Sequence, residues 1–264
     1  MRLSETFAKA AADGRAVLVG YLPAGYPTVP GAIDAFRAMV DAGVDVVEVG
    51  LPYSDPLMDG PVIQHAVDAA LAAGTTTPDV LRTVEAVAAE GVPALVMSYW
   101  NPILRYGPDR FARDLAAAGG AGAITPDLIP DEAADWLTAA RAVGIDTVFL
   151  VAPSSTDERL ALTADACRGF VYAASTMGVT GTRDQVGEAA EALVARVRKI
   201  TRLPVSVGLG VSSAAQAAEV AGFADGVIVG SAFVRKMIEA PDVATAASGV
   251  ATLAAELAEG VRRR

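Results

Sequence analysis

The sequence is poor in the residues on which most enzyme classes rely. It holds one cysteine, Cys167, and one histidine, His65. A single cysteine excludes an intrachain disulfide. One cysteine and one histidine cannot supply a zinc-ligand set of the usual spacing. A Ser/His/Asp triad would have to use His65, and no G-x-S-x-G elbow is present. The three lysines, Lys9, Lys199 and Lys236, all fall in predicted helices, so no strand end offers an amine for a Schiff base. Positive charge is also short: 21 Lys and Arg stand against 31 Asp and Glu, a net charge of −10, which argues against a nucleic-acid partner. The opening MRLSETFAKAAADGR has no apolar run of the signal-peptide kind. The best apolar stretch, Val92 to Leu104, is 13 residues long and holds two prolines, too short to cross a membrane. The expectation is a cytoplasmic protein without a metal centre.

What is present is a rhythm. Apolar, β-branched runs occur at Ala16–Leu22, Val44–Gly50, Ala94–Ser98, Ala121–Thr125, Thr147–Val151, Phe170–Ala174, Val205–Gly208 and Gly226–Gly230. Strands covered on both faces read this way. Amphipathic, Ala-rich segments separate them, many closed by Gly and most opened by Asp, Ser, Thr or Pro. The last is read as one helix over Ser231–Gly260, and Ser4–Gly14 as an extra N-terminal helix plugging the barrel floor. Eight such repeats in 264 residues predict a single (β/α)8 barrel domain over 1–264. The rival, an open doubly wound sheet, would carry a G-x-G-x-x-G turn after its first strand, and that turn is absent.

Barrel chemistry sits at the C-terminal ends of the strands. Glu48 is a carboxylate inside an otherwise apolar strand, and burying it unpaired would cost several kcal/mol. Two readings stand: a carboxylate tied to an Arg or to loop amides, and a general acid/base with a raised pKa. The loop that follows, Leu51-Pro-Tyr-Ser-Asp-Pro-Leu-Met-Asp-Gly-Pro61, projects Asp55 and Asp59. Asp55 reads first as an ordinary turn aspartate. Asp59 is either a cap for the helix beginning at Pro61 or a partner of the candidate base. Glycine-bearing turns follow the last three strands, at Gly178-Val-Thr-Gly181, Gly208-Leu-Gly210 and Gly230-Ser231. Together they point to a phosphate monoester held by backbone amides. Tyr21, Met97, Tyr99 and Tyr172 fall at strand ends, as if to line a pocket for a flat apolar group. His65 reads as a solvated helical histidine and Cys167 as inert. What remains is carboxylate acid/base chemistry on a phosphorylated substrate.

These residues resemble a known family. Glu48-Val-Gly-Leu-Pro-Tyr-Ser-Asp-Pro-Leu-Met-Asp-Gly-Pro61 is similar to the signature of tryptophan synthase α chains. Pro23-Ala-Gly-Tyr-Pro27, Tyr99-Trp-Asn-Pro102, Asp127-Leu-Ile-Pro130, Gly178-Val-Thr-Gly181 and Gly230-Ser231 follow in family order, over essentially the whole chain. The resemblance implies a TIM barrel with an extra N-terminal helix and additional short helices. It implies a carbon–carbon lyase of tryptophan biosynthesis, cleaving indole-3-glycerol phosphate to indole and glyceraldehyde 3-phosphate by a retro-aldol step. By match, Glu48 would move the protons and Asp59 would meet the indole N–H. Gly181, Gly210, Gly230 and Ser231 would hold phosphate, and Thr180 would bond Asp59 when the loops close. Tyr99 and Tyr172 would line the pocket. The resemblance also implies a β partner that carries pyridoxal phosphate, in an α2β2 tetramer, with no cofactor in this chain. Asp55, Pro56, Asn101 and Pro130 match positions on the partner side. Met58 and Leu209 depart from the residues expected there and touch pocket packing rather than chemistry. Two alternatives share these features: a free-standing indole-releasing lyase, and a non-catalytic barrel that keeps the phosphate site. A phosphosugar isomerase or epimerase is disfavoured by the missing strand lysine and the lone helical His65.

Overall fold

The computed structural model describes residues 2–174, 183–208 and 210–262, with residues 183–186 described in backbone only. Helix α1 (Leu3–Ala12) precedes strand β1 (Val17–Pro23). Helix α2 (Val29–Asp41) leads to β2 (Val46–Gly50), and α3 (Pro61–Ala72) and α4 (Thr77–Ala88) lead to β3 (Ala94–Met97). Then come α5 (Trp100–Tyr106), α6 (Pro108–Ala117), β4 (Gly122–Ile124) and α7 (Ala134–Val143). They are followed by β5 (Asp146–Val148), β6 (Leu150–Val151), α8 (Asp157–Ala166) and β7 (Val171–Ala174). The chain continues through α9 (Arg183–Val197), β8 (Val205–Gly208), α10 (Ala214–Ala221) and β9 (Gly226–Val229), then α11 (Ser231–Glu239) and α12 (Val243–Gly260). Local chemistry sets many of these starts. Thr28, Thr156, Ser213 and Asp242 each cap a helix by accepting a backbone N–H three residues on.

All strand pairs are parallel, in the order β5-β4-β3-β2-β1-β9-β8-β7-β6. The two ends of that row are one piece of chain. The predicted fifth strand, Thr147–Val151, pairs with β4 in its first half and with β7 in its second, changing neighbour at Phe149. Tyr172 N donates to Phe149 O at 3.2 Å and Arg168 N to Thr147 O at 2.7 Å across this seam. The sheet therefore closes into an eight-stranded barrel with no free edge, which removes the unpaired row an open sheet would leave.

The register places alternate residues inward. Val17, Val19, Val46, Leu95, Ile124, Val148, Phe170 and Ile228 fill the interior, joined from below by Leu3, Phe7 and Ala10 of α1. Burying each large apolar side chain contributes about 1.5–3 kcal/mol, so α1 is part of the core. A second, larger apolar shell packs the outer strand faces against the helices.

The last predicted helix divides in two. Ser231–Gly260 is two helices, because Pro241 interrupts the segment and Asp242 starts a new one, accepting Thr245 N at 2.8 Å. Among the additional short pieces are α5 and a single 3-10 turn at Pro130–Glu132. Among the described residues no helix is long and apolar enough to cross a membrane.

Candidate active site

Above the apolar interior, at the C-terminal ends of the strands, lies a cavity of about 360 Å³. Glu48 stands in its floor, on the inward face of β2, in register with Tyr21 on β1 and Leu95 on β3. It is 2% exposed, and its Oε1 has no hydrogen-bond partner. Among the described residues neither an arginine nor a loop amide bonds Oε1, so the tied-carboxylate reading finds no support there. Burial pushes its pKa up to about 8, because a low-dielectric site disfavours the charged form. At neutral pH Glu48 therefore rests mostly as the acid.

Asp59 approaches the same cavity from the loop after β2. It does not cap α3, whose N-cap is Gly60 with no side-chain bond. Instead Tyr99 O–H donates to Asp59 Oδ1 at 2.8 Å while accepting from Met58 N–H at 2.9 Å. Gln64 Nε2 donates to the Asp59 carbonyl at 2.7 Å. One tyrosine at the head of α5 thus pins the loop. Partial burial raises the Asp59 pKa, and the Tyr99 bond works against that rise. Two carboxylates share one cavity in different surroundings, Glu48 with an unpartnered oxygen and Asp59 bonded by Tyr99.

The opposite wall is built from backbone. Gly230 is the N-cap of α11, and no side chain caps that helix, so its first N–H groups keep their anion-binding capacity. Gly210 lines the same wall with φ +66, a left-handed turn that favours glycine. Among the described residues lining the cavity there is no Lys, Arg or His. An anion entering here would meet backbone amides and Ser231, with no cationic side chain among the described lining. Among the described residues no group of His, Cys, Asp and Glu is arranged to hold a metal ion.

Residues 7–262 match the family described as tryptophan synthase alpha chain. The chain belongs to the tryptophan synthase alpha chain family. The alpha chain of Thermobifida fusca (strain YX) is 64% identical over 263 residues, covering 98% of this chain and 97% of that one. The alpha chain of Streptomyces coelicolor is 62% identical over 261 residues, covering 98% and 96%. A structure of Mycobacterium tuberculosis tryptophan synthase superposes with a TM-score of 0.92 at 57% identity, covering 99% and 98%. The alpha subunit from Legionella pneumophila superposes with a TM-score of 0.90 at only 31% identity, covering 98% of each chain. The barrel architecture thus persists at half the sequence identity.

The structure brings Tyr21, Glu48, Asp59, Met97, Tyr99, Tyr172, Gly210, Gly230 and Ser231 to this one cavity. Thr180, Gly181 and Leu209 lie outside the described residues. Met58 lines the cavity as well as anchoring the loop. Leu51, Ile63, Ser98, Pro126, Leu150 and Ile228 line it too and were not singled out from sequence. Strand parity would have found Leu150 and Ile228, which stand two positions beyond the inward Val148 and two below Gly230. Ile63 belongs to α3, and only the folded loop brings that helix to the cavity.

Asp55 and Asn101 are exposed, and Pro56 and Pro130 half-buried. Asn101 Nδ2 donates to Tyr53 O–H at 3.1 Å, and Trp100 N donates to Asp127 Oδ1 at 2.8 Å, so the loops after β2, β3 and β4 are cross-linked. Large apolar side chains stand out on the same segments, Leu57 at 78% exposed and Ile129 at 44% on loops and Leu104 at 53% on α5. His65 is exposed on α3 with its ring edge toward Tyr26. Cys167 is buried against Phe149, and burial raises its thiol to about 12, which leaves it unreactive.

Proposed function

We propose that this chain cleaves indole-3-glycerol phosphate to indole and glyceraldehyde 3-phosphate, with Glu48 and Asp59 as the working carboxylates. The observation that carries this assignment is Glu48, a buried carboxyl whose Oε1 has no partner among the described residues and whose pKa is about 8, in one cavity with a second carboxylate and an uncapped helix start. A neutral acid is what the first step needs. Glu48 gives its proton to the indole carbon that bears the glycerol chain, and positive charge moves to the ring nitrogen. Asp59, kept toward its ionised form by the Tyr99 hydroxyl, accepts the N–H bond and stabilises that charge. Glu48, now a base, takes the glycerol hydroxyl proton, and the carbon–carbon bond breaks to give the aldehyde and indole. Microscopic economy favours one group for both transfers. Tyr21, Met97, Tyr99 and Tyr172 supply the apolar walls for the ring. Gly210, Gly230 and Ser231, with Thr180 and Gly181, hold the phosphate.

The product indole passes to a β chain that carries pyridoxal phosphate, within an α2β2 assembly in the cytoplasm. Leu57, Leu104 and Ile129, beside Asp55, Pro56, Asn101 and Pro130, give that partner an apolar, polar-rimmed surface next to the cavity mouth. The test is indole release by the purified chain with and without β chain. Slow release that rises steeply with β supports both reaction and partnership. Fast release without β would make it a free-standing lyase. No release in either condition would sink the reaction.

A further inference from the structure

Tyr21 stands beside Glu48 in the strand register, on the inward face of β1. Its ring lies against the end of β2. A Cβ placed on Gly50 would sit 2.5 Å from the Tyr21 hydroxyl and 2.7 Å from the ring carbons next to it. Any side chain at position 50 would drive the ring away, so this glycine is what lets the hydroxyl reach the strand that carries Glu48. Tyr21 is 8% exposed and lines the cavity.

The three tyrosines of the cavity are not equivalent. The Tyr99 hydroxyl is engaged by Asp59 and Met58. Tyr172 packs against Gly208 in the same way that Tyr21 packs against Gly50, and it feels the charge of Glu48 alone. Tyr21 feels both Asp59 and Glu48, and these charges add to burial in holding its pKa well above the usual value. It therefore stays a neutral O–H donor at any working pH. No residue of the described structure accepts that hydrogen.

We propose that the Tyr21 hydroxyl donates a hydrogen bond to the glycerol oxygen that Glu48 deprotonates. This rests on the retro-aldol reading above. In that step the O–H proton goes to the Glu48 carboxylate and the C–O bond becomes C=O. The bond to the indole carbon breaks, and its electron pair returns to the ring and neutralises the nitrogen. Negative charge builds on the glycerol oxygen as its proton leaves. A neutral phenol stabilises that charge without competing for the proton. Asp59, an acceptor, cannot do this. Gly50 is then a positioning residue, acting through Tyr21.

The experiment uses the full chain with saturating β chain and reads indole release. In Tyr21→Phe, kcat falls about 10- to 100-fold while KM stays within about twofold, the pattern of an interaction made only in the transition state. Gly50→Ala, with Tyr21 in place, reproduces the kcat loss, and the double variant is no worse than either single one. Thermal unfolding and inorganic phosphate binding of Tyr21→Phe match wild type. Wild-type kcat in Tyr21→Phe from pH 6 to 9, or a loss confined to KM, would overturn the assignment of Tyr21 while leaving the reaction intact. A wild-type chain that releases no indole would overturn both.

Discussion

Asp45 and Glu48 lie three residues apart on one stretch of chain, yet the barrel treats them in opposite ways. Asp45, at the floor, takes two bonds from the Arg15 guanidinium at 2.7 and 2.8 Å and a third from Leu18 N–H at 2.9 Å. Asp225, also at the floor, takes bonds from Arg198 at 2.9 Å and from Val205 N–H at 3.0 Å. Glu48, at the roof, has a buried oxygen with no partner. At the floor, Asp45 and Asp225 tie strand starts together through arginines and backbone amides. At the roof, Glu48 Oε1 has no partner among the described residues, and burial holds its pKa up at about 8. Stability is concentrated at one end of the barrel and reactivity at the other, as the fold's general division of labour implies.

The sharpest break of this contrast is Glu48→Gln. Indole release falls by at least about 10³-fold, while phosphate binding survives. The same variant is more stable than wild type at alkaline pH. In the native chain Glu48 keeps its proton up to about pH 8, whereas the unfolded chain releases it near 4.5. Wild-type stability thus falls as pH rises through that window, by up to ~1.4 kcal/mol per unit, and a glutamine removes the slope. Denaturant titrations of both proteins at pH 5, 7 and 9 check this, and parallel curves would show that Glu48 is not held neutral.

Asp59→Asn comes next. Its turnover falls about 10²–10⁴-fold, the range for a positioned charged group, with little change in melting temperature. Unchanged turnover would return Asp59 to a structural role. Asp45→Ala moves the other quantity. It strands Arg15 and an amide in a mostly buried site, at a cost of about 2–3 kcal/mol, and leaves the kcat of the folded fraction unaltered. A kcat loss there would dissolve the division between floor and roof. The smallest effect belongs to Tyr99→Phe. Losing the bond to Asp59 lets that pKa rise further, so the acid limb of the kcat profile moves to higher pH, with about a tenfold loss at neutral pH. An unmoved limb would mean that the loop holds Asp59 without Tyr99.

Much of the fold was legible because its signal is local. Val46, Val47 and Val49 around Glu48 announce a strand covered on both faces, and Ser213 and Thr156 announce helix starts. The division at Pro241 was misread because apolar periodicity resumes beyond it. The seam at Phe149 could not be read at all. Thr147–Val151 looks like any other strand, and its change of partner follows from the stagger that closes the barrel. The candidate site was legible where one segment carries it, from Glu48 through Asp59 to Pro61. Ile63 and Pro126 escaped because they reach the cavity only through folded loops.

The sequence by itself determined the inventory: one cysteine, one histidine, no strand-end lysine, and a carboxylate set among valines. Those facts disfavour zinc-site, triad and Schiff-base chemistry. Tertiary structure decided which groups stand within reach of Glu48. No pattern in the chain says whether an arginine will reach a buried carboxylate, because that depends on which residues the closed barrel brings within a few ångströms. Here it brings Arg15 to Asp45 and, among the described residues, leaves Glu48 Oε1 without a partner.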